Sequence, residues 1–330
     1  MQELINKLVT LAKEPISVLR TPRVSALIID ERKKILASGV HHGQGTPHAE
    51  IVALKKLNGD LSNCTLFVSL EPCDHYGATG PCTEAIIKSG IKKVVIGSLD
   101  TNPVSAGGVE KLKSAGIEVF LWGDQAAFRE LNYRWFESMR LGRPYVALKA
   151  ALTIDGYITK SAGERTQITS EQSLSEVHRL RSEFDAILVG TNTVEVDDPH
   201  LNVRLPSDSG REQPLRIVMG TREIPASSNI FSSASETRQI KTHDPHLILK
   251  EISKMKINTL LLEGGAEIYS AFLEADLVDE FNLFISPKIF ANGVSVIDLL
   301  SEKLPANRLK IKSVIALGPD LLIRANNFRG

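Results

Sequence analysis

Short apolar runs of strand length alternate with helical segments along this chain, and the alternation breaks once and then begins again. The break lies at Leu141-Gly142-Arg143-Pro144, where glycine and proline end a helical pattern, and an apolar run over residues 145–151 follows directly. Strands that alternate with helices indicate α/β layers. The 330 residues are also enough for two hydrophobic cores. We therefore predict two α/β domains, residues 1–144 and residues 145–330.

The element pattern within each domain supports this division. In the first domain the apolar runs at residues 25–29 and 35–40 flank a charged turn and predict a hairpin. Further strands are predicted at residues 65–69, 94–98 and 117–121, and helices at residues 51–57, 83–88, 107–114 and 125–140. In the second domain strands are predicted at residues 145–151, 186–189, 215–219, 259–262 and 280–285, with polar loops at residues 204–213 and 226–237.

Composition narrows the class of ligand. Lys plus Arg and Asp plus Glu both number 39, so no net charge attracts nucleic acid or an anionic membrane. No run approaches the roughly 18 apolar residues of a membrane span, and the first 14 residues lack a signal-peptide core. We expect a cytoplasmic protein that acts on a small molecule, with no nucleic-acid or membrane partner. The sequence leaves open whether the chain forms a homo-oligomer.

The cysteines and one histidine are placed as metal ligands. His48 opens a predicted helix, Cys73 follows a predicted strand, and Cys82 stands at the start of another helix. One imidazole and two thiolates suit Zn²⁺, and three protein ligands leave the fourth position open, as in catalytic zinc sites. Glu50 follows the histidine by two residues and can move protons between water and a leaving amine. The pattern His-x-Glu, Pro-Cys and Cys is typical of zinc nucleobase deaminases.

Other interpretations of these residues stay open at this point. A closed structural zinc site would need a fourth ligand, which His41 or Cys64 would have to supply, and the cysteines could also be unrelated buried residues. His41 is predicted to face the pocket, adjacent His42 to be solvated, and Cys64 to be a small core residue.

The spacing of the cysteines identifies a family. Eight residues lie between Cys73 and Cys82, within Leu70-Glu71-Pro72-Cys73-Asp74-His75-Tyr76-Gly77 and Gly80-Pro81-Cys82. With Gly45-Thr46-Pro47-His48-Ala49-Glu50, this long loop resembles the deaminases of riboflavin biosynthesis. The resemblance implies a cytidine-deaminase-like three-layer sandwich. Thr21 stands where that family usually has an asparagine that holds the pyrimidine, and Ser25 where it has glycine.

The second domain resembles the reductase domain of the same bifunctional family, which has a fold like that of dihydrofolate reductase. The resemblance is carried by Lys149-Ala150-Ala151-Leu152-Thr153-Ile154-Asp155-Gly156, Asp197-Asp198-Pro199 and Leu261-Leu262-Glu263-Gly264-Gly265. Taken alone, the last segment could be a tight strand-to-helix turn, and Asp197-Asp198-Pro199 a polar turn. Arg181 and Arg204 could be solvated charges, although guanidinium groups suit a ribose phosphate.

The resemblance also implies which residues bind the ligands. NADPH would contact Ala151, Gln167, Thr193, Asp197, Thr221, Gly265, Ala266, Glu267, Ile268, Tyr269, Ser270 and Ala271. The substrate would contact Arg165, Arg181, Leu201, Arg204 and Glu263. Arg165 stands where the family has a small hydroxyl residue, and Gln167 where it has tryptophan.

The function that the resemblance implies is bifunctional. A diamino phosphoribosylaminopyrimidinone loses an amino group at the zinc site, and its ribose is then reduced to ribityl by NADPH. Two alternatives stay open: a chain that retains only one of the two activities, and a non-catalytic protein that binds a pyrimidine or a nucleotide.

Overall fold

The computed structural model describes residues 2–15, 19–76, 80–102, 105, 107–164, 166–205, 212–232, 235–296 and 309–327. Contacts between residues divide the chain into two units, Met1–Gly142 and Arg143–Gly330. The boundary predicted after residue 144 lies two residues further along the chain. Within the described ranges, no helix is long and apolar enough to cross a membrane.

The first unit is built on a five-stranded sheet. Its elements are α1 (Gln2–Lys13), β1 (Ser25–Ile29), β2 (Ile35–Val40), α2 (Ala49–Leu54), β3 (Thr65–Val68), α3 (Cys82–Lys88), β4 (Lys93–Ile96), α4 (Gly108–Ser114), β5 (Glu118–Leu121), α5 (Ala126–Leu131) and α6 (Tyr133–Leu141). The strand order is β2-β1-β3-β4-β5. Strand β1 runs antiparallel to β2 and β3, whereas β3, β4 and β5 run parallel. The predicted hairpin and the three later strands are therefore confirmed, with ends that differ by a residue or two.

Both faces of this sheet are covered by helices. Successive residues of a strand point to opposite faces. In β1, Ile28 packs with apolar residues of α2, α3 and α4, whereas Leu27 packs with residues of α1 and with Phe128 of α5. The result is a helix, sheet and helix sandwich, which confirms the predicted three layers.

One prediction in this unit is wrong. The single helix expected over residues 125–140 is two helices, α5 and α6, which are separated at Asn132. Asn132 leaves helical geometry, with φ −119° and ψ 25°. Its side-chain amide pairs with the backbone of Arg23: Oδ1 accepts from the Arg23 N–H at 2.8 Å, and Nδ2 donates to the Arg23 carbonyl at 3.0 Å. Because these tertiary bonds require the turn, the local helical pattern is interrupted.

The second unit carries an eight-stranded mixed sheet. Its elements are β6 (Tyr145–Thr153), β7 (Tyr157–Thr159), α7 (Glu171–Arg181), β8 (Ala186–Gly190), α8 (Thr191–Asp197), β9 (Leu215–Met219), β10 (Thr237–Ile240), α9 (Pro245–Lys254), β11 (Thr259–Leu262), α10 (Ala266–Glu274), β12 (Glu280–Ser286), β13 (Val294–Ser295), β14 (Leu309–Leu317) and β15 (Asp320–Asn327). A 3-10 turn, Asn229–Phe231, lies within the loop predicted at residues 226–237. The predicted strands of this unit are confirmed.

The order and direction of the strands identify the edge of this sheet at which ligands are expected to bind. The order is β10-β9-β8-β11-β6-β12-β15-β14, and the strands from β10 to β12 run parallel. All residues of β8, β9 and β11 are buried, as expected for parallel strands between two helical layers. Because the carboxyl ends of parallel strands share one edge, residues that follow β8, β9 and β11 meet there. Ligands bind at this edge in open α/β sheets.

Candidate active sites

The three predicted zinc ligands converge in the first unit. His48 immediately precedes α2, Cys73 lies in the segment after β3, and Cys82 is the first residue of α3. Their ligand atoms all lie within 4.8 Å of one another. His48 Nδ1 is 3.1 Å from Cys82 Sγ and 3.5 Å from Cys73 Sγ. One nitrogen and two sulfurs at these separations fit a zinc ion with an open coordination position.

Neither residue that could have closed the site, His41 or Cys64, joins the three ligands. Cys64 is buried in the apolar core of the first unit with Leu61 and Leu66, as predicted. The His41 ring packs edge-on against the His48 ring at 5.2 Å between centroids, and His42 is exposed. Among the described His, Cys, Asp and Glu residues, none joins the group of three as a fourth ligand. This donor set is that of an open site rather than a structural zinc knot.

Two glycines allow α2 and α4 to pack closely around the three ligands. A Cβ atom on Gly39 of β2 would lie 1.9 Å from the Ala49 carbonyl oxygen, so α2 packs directly on the strand backbone. A Cβ atom on Gly108 would lie 1.9 Å from the Pro72 carbonyl oxygen, so the start of α4 packs against the residue that precedes Cys73. A side chain at either position would displace a ligand-bearing segment. The close packing at these two glycines was not predicted from the sequence.

Glu50 has the surroundings of a proton carrier. Its side chain is 3% exposed and lies in the first turn of α2, beside the cluster of ligands. Its Oε2 atom is buried without a hydrogen-bond partner. Burial raises the pKa of the Glu50 carboxyl to about 7. A buried carboxyl with one free oxygen is suited to take up and release a proton.

Glu71 supports the segment that carries Cys73, a role that the sequence analysis did not assign. One carboxylate oxygen accepts the Asp100 N–H at 3.2 Å, and the other accepts the Val109 N–H of α4 at 3.1 Å. The carboxylate thus joins three segments around the ligands. The Cys73 thiol itself is hydrogen-bonded to Cys82, which lowers its pKa to about 4 although burial opposes the shift. Cys73 therefore favours the thiolate form that binds zinc, whereas the same hydrogen bond and burial raise the pKa of the Cys82 thiol.

The second unit contains a cavity of about 810 Å³. The predicted substrate contacts Arg181, Leu201, Arg204 and Glu263 line it. So do the predicted nucleotide contacts Ala151, Gln167, Thr193, Asp197, Gly265, Ala266, Glu267, Ile268 and Tyr269. Thr221, Ser270 and Ala271 are not among the described lining residues. Arg165 lies outside the described residues.

A buried ion cluster occupies the wall of this cavity. Arg181 Nε and Nη2 donate to the two oxygens of Glu263 at 2.6 and 2.9 Å, and Lys149 Nζ lies 3.7 Å from the same carboxylate. Burial alone would raise the pKa of Glu263, but the charges of Arg181 and Lys149 and the hydrogen bond from Arg181 lower it to about 2. Burial lowers the pKa of Lys149. Lys149 opens one of the segments that carry the family resemblance, yet the sequence analysis gave it no role.

The start of α10 is built to receive a phosphate. Gly265 is the N-cap of this helix, and Gly265, Ala266 and Glu267 all line the cavity. A Cβ atom on Gly264 would lie 2.6 Å from Cβ of Ile268, so the turn requires glycine there. Amides at a helix N-terminus, with the positive end of the helix dipole, bind a pyrophosphate well.

Thr221 follows β9 at the same edge of the sheet. Its Oγ1 lies 3.4 Å from His243 Nε2, in the segment after β10. Adjacent Arg222 forms an ion pair with Glu195 of α8 at 2.5 Å. These groups stand two strands from Glu263 in the order of the sheet, at a distance that an extended dinucleotide can span.

Comparison with known proteins matches each unit. Residues 1–98 match the cytidine and deoxycytidylate deaminase zinc-binding region, and residues 144–323 match the RibD C-terminal domain. A relative from Aquifex aeolicus (strain VF5), riboflavin biosynthesis protein RibD, is 38% identical over 331 residues, covering 92% of this chain and 91% of the relative.

Two solved structures share the fold over the whole chain. RibD of Acinetobacter baumannii, form 1, has a TM-score of 0.90 at 30% identity, and the alignment covers 99% of each chain. A diaminohydroxyphosphoribosylaminopyrimidine deaminase/5-amino-6-(5-phosphoribosylamino)uracil reductase from Thermotoga maritima has a TM-score of 0.86 at 33% identity, covering 98% of this chain and 97% of that one. The predicted fold class is confirmed, and each site lies in the unit whose match corresponds to its chemistry.

Proposed function

The chain belongs to the RibD family of bifunctional deaminase/reductases of riboflavin biosynthesis, and on that premise we propose how its residues divide the two reactions. The first predicted domain, residues 1–144, deaminates a diamino phosphoribosylaminopyrimidinone. The second predicted domain, residues 145–330, reduces the ribose of the deaminated product to ribityl with NADPH. Deaminase and reductase activities both follow from family membership; the assignments of residues below are our proposal.

In the deaminase, His48, Cys73 and Cys82 would hold zinc, because their nitrogen and sulfur atoms converge at ligand separations. Zinc in such a site acts as a Lewis acid that makes water acidic enough to attack at neutral pH. Water adds to the ring carbon that bears the amine, the carbon–nitrogen bond breaks, and ammonia leaves. Glu50 accepts a proton from the water through its free Oε2 and delivers it to the departing nitrogen.

In the reductase, the protein orients NADPH and the deaminated substrate relative to each other. The turn from Gly265 into α10 receives the pyrophosphate of NADPH, and Asp197 and Thr193 line the adjoining part of the cavity. Arg181 and Arg204 meet the ribose phosphate. NADPH held there would supply a hydride to the first ribose carbon in its open-chain or imine form, and the neighbouring heteroatom would need a proton. Lys149 lines the cavity, and burial lowers the pKa of its ammonium group, so we propose it as the donor of that proton.

The observation that carries the proposal is the zinc-ligand cluster, with its atoms within 4.8 Å of one another, beside a buried carboxyl that has a free oxygen. The test measures ammonia release and NADPH oxidation separately on the purified protein. We expect ammonia from the diamino substrate without NADPH, and NADPH oxidation when the deaminated product is supplied. One activity alone would indicate a chain that retains a single function, and neither would indicate a binding protein.

A further inference from the structure

One wall of the reductase cavity is a segment without helix or strand, residues 198–204. It carries both Leu201 and Arg204, which the proposed function assigns to the substrate. Two of its residues have left-handed backbone geometry, Asp198 with φ 40° and Leu201 with φ 49°. Residues other than glycine adopt this geometry at a cost in free energy, so surrounding contacts must hold the segment in place.

Arg216 supplies one such contact from inside the protein. It lies on β9, and its relative exposure is 0%. Its Nη1 donates to the His200 carbonyl at 3.0 Å and to Ser232 Oγ at 3.1 Å. Its Nη2 donates to the carbonyls of Ser232 and Ser235. The guanidinium thus fastens the cavity wall at His200 to the segment that follows the 3-10 turn.

Two side-chain amides fasten the wall on either side of His200. Asn229 Nδ2 donates to the Asp198 carbonyl at 3.2 Å and to Asp198 Oδ2 at 2.8 Å, and the Asn229 N–H donates to Oδ1 at 2.7 Å. Gln213 forms a two-point pair with the backbone of Val203: Oε1 accepts the N–H at 2.7 Å, and Nε2 donates to the carbonyl at 3.2 Å. Gln213 thus supplies the backbone pairing that Val203 lacks, and Asn229 holds the carbonyl and the carboxylate of Asp198.

These three side chains act from outside the cavity. Gln213, Arg216 and Asn229 are not among the described residues that line it. On the cavity side, two hydrogen bonds join the segment to residues that line the cavity: Arg181 Nη1 donates to the Asn202 carbonyl at 3.3 Å, and the Arg204 N–H donates to His178 Nδ1 at 3.3 Å.

We propose that Gln213, Arg216 and Asn229 are positioning residues that hold residues 198–204 in the conformation that binds the ribose phosphate of the substrate. This inference rests on the proposed function, because it takes Leu201 and Arg204 as substrate contacts. The three residues touch neither ligand; they set the position of those that do. Affinity for the substrate depends on them, whereas affinity for NADPH depends less, because the helix dipole and amides of α10 lie on another wall.

The experiment compares Gln213→Ala and Asn229→Ala with a matched control, Asn327→Ala. The control also removes two bonds of a side-chain amide, to Asp276 Oδ1 at 3.2 Å and to the Val278 carbonyl at 3.0 Å, in the same unit but away from the cavity. We measure KM for the deaminated substrate, KM for NADPH, kcat, and ammonia release. In both test variants we expect KM for the substrate to rise roughly tenfold, with a much smaller rise in KM for NADPH and no change in ammonia release. The control should change none of these values.

A conservative variant separates positioning from general loss of stability. Gln213→Glu keeps the acceptor for the Val203 N–H and loses the donor to its carbonyl, so its KM should lie between those of the parent protein and Gln213→Ala. An unchanged KM in both alanine variants, or an equal rise in Asn327→Ala, would overturn the proposal. Calorimetric titration of the deaminated substrate into each protein measures the same affinity without turnover. Failure of the parent protein to bind that substrate would instead refute the proposed function.

Discussion

Arg181 and Glu263 form a two-point ion pair in the wall of the reductase cavity, with Nε–Oε1 and Nη2–Oε2 distances of 2.6 and 2.9 Å. Both side chains are largely shielded from solvent, with 14% and 5% exposure. An Arg–carboxylate pair of this geometry fixes the plane of the guanidinium as well as its charge. The pair therefore sets the orientation of the cation that we assign to the substrate phosphate.

This pair makes stability depend on pH in a defined window. Burial opposes the charge of Glu263, yet Arg181 and Lys149 lower its pKa from 4.5 to about 2. Because the folded-state pKa is depressed, the contribution to stability is complete above about pH 4.5 and is lost as the pH falls towards about 2. The difference in urea-unfolding free energy between the parent protein and Glu263→Gln should therefore shrink as the pH falls through this window. A difference that stays constant from about pH 6 to about pH 3 would contradict the assigned pair.

Removal of one zinc ligand should remove the metal. In Cys82→Ala, two ligands remain, which are too few for a catalytic zinc site. Elemental analysis of the purified protein should show one zinc per chain in the parent and much less than one in the variant. Cys64→Ala is the matched control, since Cys64 is also buried but lies in the apolar core, and it should keep its zinc. Full occupancy in Cys82→Ala would exclude Cys82 as a ligand.

Glu50→Gln should separate metal binding from proton transfer. The amide has nearly the same shape as the carboxyl, but it cannot accept the proton of the attacking water. We expect full zinc content and a loss of ammonia release of about 10²- to 10⁴-fold. Rapid ammonia release by this variant would remove Glu50 from the mechanism.

Each of the two activities should be lost without loss of the other when its own site is changed. Asp197→Ala combined with Arg204→Ala changes the reductase cavity only, so the variant should still release ammonia but should not oxidise NADPH with the deaminated product. Glu50→Gln should oxidise NADPH normally with that product. If either variant lost both activities while circular dichroism showed it to be folded, a single composite site would have to replace the two-site proposal.

Much of the fold could be predicted because its strands are short, apolar and bounded by turns. The five strands of the first sheet and β6, β8, β9, β11 and β12 of the second follow from patterns of this kind, whereas β10, β14 and β15 were not predicted. The zinc ligands follow from the His-x-Glu, Pro-Cys and Cys pattern. The break at Asn132 could not be predicted, because its cause is a pairing with Arg23, which is 109 positions distant in the chain. Helix α1 was also missed, although Leu4, Leu8 and Leu11 have helical spacing and are buried.

In the reductase cavity, too, roles that depend on tertiary contacts could not be predicted from local sequence. Its ligand-facing residues could be carried over from a family resemblance, whereas Lys149 was left without a role because a lysine on a strand has no local signature of burial. The residues that hold the cavity wall are even harder to predict from the sequence. Gln213 and Asn229 stand in polar stretches that the sequence analysis treated only as surface loops. Their bonds to Val203 and Asp198 exist only once β9 and the 3-10 turn have come together.

The separation of the zinc ligands along the chain has a consequence for metal supply. His48 is 25 positions from Cys73 and 34 from Cys82, so the unfolded chain must close one long loop and one loop of 34 − 25 = 9 positions before it can present all three. Zinc therefore binds the folded first unit in preference and stabilises it by mass action. The described part of the second unit contains no such ligand cluster. We expect protein made under zinc limitation to lose deaminase activity first, so that the ratio of the two activities in a preparation reports its metal content.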